Sequence, residues 1–84
     1  MPQYTVEEEI ELLADAGLLT ERQAEVFVRR RVEAEPGWSV AEDLGLAETT
    51  VSDYVGDAEK KLEQARATLN ALEEIRFQIP DDLD

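Results

Sequence analysis

Apolar positions recur along this chain at helical spacing, and no stretch alternates in the manner of a strand. Val6, Ile10 and Leu13 fall at i, i+4 and i+7, behind Thr5 and Glu8, a pair with the form of a capping box. Gly17 follows as a stop signal, so a first helix is predicted from Val6 to Ala16. Thr20 and Gln23 open a second helix in the same way. Its expected buried stripe is Ala24, Phe27, Val28 and Val32, and it ends near Glu33. Pro36 suits a first helical position, where its missing N–H has no partner to lose; the short helix it begins stops at Gly45.

From Glu48 the pattern lengthens. Val51, Val55, Ala58, Leu62, Ala65, Leu69 and Leu72 step alternately by four and three residues, a heptad-type seam. No proline interrupts it before Pro80, and Gly56 is its one weak point. One rod of about 45 Å is therefore predicted from Glu48 to Phe77. The chain reads as all-α and tetrahelical, one domain over 1–77 made of an N-terminal helix (5–17), a core (18–57) and a helical extension (58–77). A flexible acidic tail is expected over 78–84. Past Leu62 the seam outruns the compact unit, so either the N-terminal helix or a second copy covers it. A homodimer through Leu62, Ala65, Leu69, Leu72 and Ile75 is the expectation.

Charge changes the picture more than size does. The 84 residues carry 21 acids against 8 bases, a net charge of −13, yet 43% hydrophobic residues are enough for a core and too many for a wholly disordered acidic tail. The acids are spread along the whole chain, and the bases are six arginines against two lysines. Acidic, lysine-poor domains are the usual composition of proteins that work in molar salt. There the Debye length falls to about 3 Å and carboxylate self-repulsion is mostly screened. A halophilic source is expected, and in such a cell a negative balance stops arguing against DNA.

Other classes are excluded by what is missing. Without cysteine there is no disulfide framework, thiolate metal site or cysteine nucleophile, and without histidine the commonest general base is absent. No catalytic residues, metal or cofactor are expected. No apolar run is long enough to span a membrane, and Met1 to Ile10 has neither the cationic nor the apolar segment of a secretion signal, so the expected location is the cytoplasm.

The informative window is Val40-Ala41-Glu42-Asp43-Leu44-Gly45-Leu46-Ala47-Glu48-Thr49-Thr50-Val51-Ser52-Asp53-Tyr54. A helix-turn-helix needs a small residue where two steeply crossing helices approach, and Ala41 stands there. It also needs a residue tolerant of positive φ four positions later, and that is Gly45. Leu44, Leu46, Val40, Val51 and Tyr54 supply the buried face.

Together with Leu19-Thr20-Glu21-Arg22-Gln23-Ala24-Glu25-Val26 and the trailing Gln64-Ala65-Arg66-Ala67-Thr68-Leu69, this window resembles the tetrahelical DNA-binding domains of sigma-factor region four and the LuxR-type regulators. Within that group it looks most like the small archaeal regulators of the Tfx type and related haloarchaeal proteins. The resemblance covers roughly Leu18 to Leu72. It implies a wingless helix-turn-helix transcription regulator whose second motif helix enters the major groove of double-stranded DNA. The exposed recognition positions would be Glu48, Thr49, Thr50, Ser52 and Asp53. Ala47 departs from the Ser or Thr that usually caps that helix, and Glu48 and Asp53 stand where basic or amide side chains are better DNA ligands.

Phosphates would fall to the basic runs Arg29, Arg30, Arg31 and Lys60, Lys61, although three consecutive helical residues fan over about 200° and cannot all face one duplex. Trp38 reads as a core residue or a partner-facing anchor. The rival to a DNA-binding dimer is an acidic adaptor on the same scaffold, docking on a protein such as one of the transcription machinery.

Overall fold

A computed structural model describes residues 3–75, in which every regular element is helical. The order is α1 (Val6–Asp15), α2 (Glu21–Phe27) running on into a π-helical turn (Val28–Val32), α3 (Gly37–Leu44) and α4 (Glu48–Glu74). Among these residues no helix is long and apolar enough to cross a membrane. The expected continuation to Phe77 and the acidic tail at 78–84 lie outside the described residues.

Both expected capping boxes form. Thr5 Oγ1 accepts from Glu8 N at 3.2 Å while Glu8 Oε1 accepts from Thr5 N at 2.8 Å. Thr20 and Gln23 repeat the exchange at 3.1 and 3.0 Å. Each box satisfies two backbone donors that a helix start otherwise leaves open. α4 has no such help: Ala47 sits at its cap with no side-chain bond.

α2 is the central wedge. Val26 packs with Val40, Ala41, Val51 and Val55 on one side. Ala24 packs with Leu19 and Ala58 on the other, where Ile10, Leu13, Ala14 and Phe27 cover them. A helix buried on two sides has no single apolar stripe. That is why Val26, which is wholly buried, falls outside the stripe expected from periodicity.

Val32, expected inside that stripe, is instead exposed. The cause is the π-helical turn, whose closing bond runs five residues back, from Glu33 N to Val28 O at 2.9 Å. The added residue per bonded turn carries Val32 off the buried face. The turn ends at Ala34 with φ +58°, the left-handed region in which a β-carbon is unfavourable.

Pro36 departs from expectation by one residue: it is the cap before α3, with extended φ −60° and ψ 146°, and Gly37 is the first helical residue. Its carbonyl accepts from Ser39 N and Val40 N at 3.1 and 3.2 Å, so it starts the helix without entering it.

α3 ends as the chain pattern required. Gly45 takes φ +69°, ψ 35°, Leu46 N donates to Ala41 O at 2.9 Å, and Gly45 N donates to Glu42 O at 3.4 Å. This pair of back-directed bonds is a Schellman motif, accompanied by its usual apolar contact as Leu46 packs on the cluster holding Ala41. Leu46 and Ala47 then suffice to connect α3 to α4. The 27 residues of α4 give a rod of about 40 Å. Its first half packs on α2 and α3, and its second half projects beyond them.

Candidate nucleic-acid interface

The face of α4 turned away from the core begins with Glu48, Thr49, Ser52 and Asp53, all exposed. Thr50 is half-buried and turns toward the flank that also carries half-buried Tyr54, so it does not join the other four. The buried side of the same turns is Val51, Val55 and Ala58.

The basic residues do not act as one patch. Arg29, 16% exposed at its side chain, is held from three directions. Its Nε and Nη2 donate to the two carboxylate oxygens of Glu35, both at 2.8 Å, and Nη1 donates to Asp43 Oδ2 at 2.7 Å. Ser39 Oγ donates to Glu35 Oε2 at 2.8 Å. The forked guanidinium and Ser39 pull the Glu35 carboxyl down to about 2, the Arg29 bond contributing most. Arg29 is raised in turn, chiefly by Glu35. Arg29 is therefore a clasp joining the π-turn to α3, and its charge is not free for a phosphate as the sequence pattern had it.

Arg30 and Arg31 lie elsewhere. Arg30 Nη1 donates to Glu35 O at 2.7 Å, and Arg31 Nε pairs with Glu59 Oε2 at 2.9 Å. Both line a cleft against Ser52, Val55, Gly56 and Glu59 of α4. The structure thus brings two of the three consecutive arginines beside one expected recognition residue, Ser52. Lys60 is exposed one turn beyond Gly56 on the same face. Lys61 is on the opposite flank, where its Nζ donates to Gln23 Oε1 at 2.9 Å and to Leu18 O at 3.4 Å. It ties α4 to the start of α2.

On the second half of α4, Leu62, Ala65 and Leu72 are half-buried, whereas Leu69 and Ile75 are 51% and 73% exposed. The apolar seam is thus partly open to solvent. A groove lined by Phe27, Glu59, Leu62, Glu63 and Arg66 runs beside it. Trp38 is 59% exposed, which excludes the core role and leaves the anchor role standing.

Sequence periodicity gave no sign of the Glu35–Ser39–Asp43 receptor for Arg29, because its members are polar and come from a loop and a following helix. It also gave no sign of the pair Glu9 and Glu33. One carboxylate oxygen of Glu9 is shielded and has no hydrogen-bond partner among the described residues. The neighbouring Glu33 carboxyl, through hydrogen bonding to the protonated form, then burial and the repulsion of like charges, raises Glu9 from its ordinary carboxylate value.

No known family, curated protein or solved structure matches this chain. The arrangement of its own residues carries the functional reading.

Proposed function

We propose that the protein is a wingless helix-turn-helix transcription regulator of the haloarchaeal, sigma-region-four-like kind, binding double-stranded DNA as a cytoplasmic homodimer adapted to high salt. The observation that carries the reading is the α3–turn–α4 unit. A small residue, Ala41, lies in the contact between the two helices, a left-handed Gly45 makes the turn, and Glu48, Thr49, Ser52 and Asp53 are left facing solvent. In this reading α4 enters the major groove by its first two turns, with Arg30, Arg31 and Lys60 toward phosphates. Thr49 and Ser52 are the groove-facing hydroxyls, able to bond bases or phosphates. The half-open seam from Leu62 to Ile75 supports pairing of two copies, which would present two such helices to one duplex.

The test is Thr49→Ala with Ser52→Ala. Specific affinity falls about tenfold or more while helix content is unchanged, because both side chains are solvent-facing and bond nothing within the fold. Unchanged affinity sinks the assignment of these residues.

A second reading is favoured by one observation: four of the five cations expected on DNA, Arg29, Arg30, Arg31 and Lys61, already bond to groups within the fold, Arg29 and Lys61 most fully. The remaining face carries Glu48, Asp53 and Asp57, which suits an acidic adaptor for a basic protein surface. An adaptor binds no duplex at any salt concentration.

A further inference from the structure

Gly56 stands in the interior of α4, exposed, at a position where an added β-carbon would meet nothing within 4 Å. Nothing among the described residues requires a glycine there, and alanine would make a better helix. Gly56 also lines a cleft of about 120 Å³, together with Arg30, Arg31, Ser52, Val55 and Glu59.

The walls have the chemistry of an oxyanion receptor. Arg30 is fixed in advance: Nη1 is bonded to Glu35 O at 2.7 Å, and its Nε lies 3.7 Å from the point where a β-carbon on Gly37 would stand. That leaves Nε and Nη2 of Arg30 without a hydrogen-bond partner among the described residues. Arg31 meets Glu59 through Nε at 2.9 Å, and its two terminal nitrogens have no hydrogen-bond partner among the described residues. The cleft lining itself holds two guanidinium groups and one carboxylate, on a chain of net charge −13. Ser52 adds a hydroxyl, and Lys60 follows one turn beyond Gly56.

We infer that this cleft is a phosphate site, floored by Gly56 and clamped by Arg30, Arg31 and Ser52, in which Glu59 holds Arg31 until a nucleic-acid backbone phosphate displaces it. Planar guanidinium forks match phosphate oxygens bidentately, and Arg30 gives up little freedom on binding because it is already positioned. A methyl group at position 56 would intrude on the floor and hold the anion away from Ser52. The identity of the phosphate as a backbone phosphate rests on the DNA-binding proposal; the cleft itself does not.

The experiment is a heteronuclear NMR titration of the full chain, first with inorganic phosphate and then with duplex DNA, at one KCl concentration that keeps it folded. Saturable shifts are expected at the Ser52 and Gly56 amides and at the Nε–Hε groups of Arg30 and Arg31. Gly56→Ala, whose helix is strengthened, weakens both ligands by about tenfold, the equivalent of one charge-assisted hydrogen bond. Arg31→Gln weakens both similarly, and Glu59→Gln tightens both. Wild-type affinities in Gly56→Ala and Arg31→Gln overturn the inference. Duplex binding that shifts other residues and leaves the cleft untouched overturns it while sparing the DNA reading. Phosphate shifts at the cleft with no duplex binding uphold the cleft and remove the DNA reading.

Discussion

Replacing Arg29 by Met separates a structural cation from a DNA-binding one. The substitution keeps the aliphatic stem and deletes three hydrogen bonds, two to Glu35 at 2.8 Å and one to Asp43 at 2.7 Å. Asp43 is 64% exposed at its side chain, so its pair with Arg29 contributes about 0.5 kcal/mol or less. Glu35 is the larger part. Its carboxyl lies at about 2 where 4.5 is usual, which corresponds to about 3 kcal/mol as an upper bound. With Glu35 a quarter open to water and Ser39 retained, about 1.5 kcal/mol is assigned to Arg29 after discounting for solvent screening. The total expected loss is about 2 kcal/mol, read as a drop in urea midpoint followed by far-ultraviolet circular dichroism at fixed KCl. A double-mutant cycle with Glu35→Gln should return about 1 kcal/mol of coupling, since the two side chains share two bonds. Under conditions where both forms are folded, the salt dependence of any DNA affinity is unchanged. A variant as stable as wild type, whose log affinity against log salt loses about 0.9 in slope, would mean that Arg29 neutralises a phosphate, and the clasp assignment would be refuted.

Other consequences are independent of the clasp. Val26→Ala removes a wholly buried side chain from the cluster with Val40, Val51 and Val55, and should cost about 2 kcal/mol, or roughly 10 °C in Tm for a domain of this size. A Tm within about 2 °C of wild type would contradict the two-sided burial of α2. Ala34→Gly relieves a β-carbon held at φ +58° and should raise stability by about 0.5–1 kcal/mol in the same urea assay; a loss would show the strain to be absent. Two carboxyls predict opposite pH dependences. Glu35, depressed in the folded state, contributes stability that is present above its usual 4.5 and is lost as pH falls toward about 2. Glu9, raised in the folded state, contributes stability that is present below its usual 4.5 and is lost as pH rises above that value. Glu35→Gln should flatten the acid limb of a Tm-against-pH curve and Glu9→Gln the limb above pH 4.5; each variant moving the other limb would contradict the assignments.

The helices were legible because their signals are local. Thr5 with Glu8, Thr20 with Gln23, and Gly45 after Leu44 are contacts within one turn, which a linear pattern records directly. The buried spine of α4 was legible for the same reason, as Val51, Val55 and Ala58 repeat at helical spacing. Burial of Val26 was not, because it depends on α3 and α4 closing over a side of α2 other than the one that carries Ala24. The π-turn escaped because the run Val28 to Val32 has ordinary helical composition, and the shift in register follows from the closing bonds of Glu33 and Glu35. At the candidate site the residue types were readable but their partners were not. Arg29, Arg30 and Arg31 look alike in a string, yet one is clasped, one is braced by a carbonyl, and one faces a single exposed carboxylate. Gly56 read only as a weak point in a long helix until its surroundings were seen to be empty.

The central claim, that the exposed turns of α4 read DNA, is tested most directly by fluorescence anisotropy of labelled duplexes, including the region upstream of the protein's own gene. The titration is made at about 0.2 M and about 2 M KCl, spanning Debye lengths from roughly 7 Å to roughly 2 Å. Saturable binding at 2 M KCl that random duplex competes poorly, and that Thr49→Ala with Ser52→Ala weakens, is the predicted result. A folded, helical protein that binds no duplex at either concentration would contradict it and leave the acidic adaptor as the function of this fold.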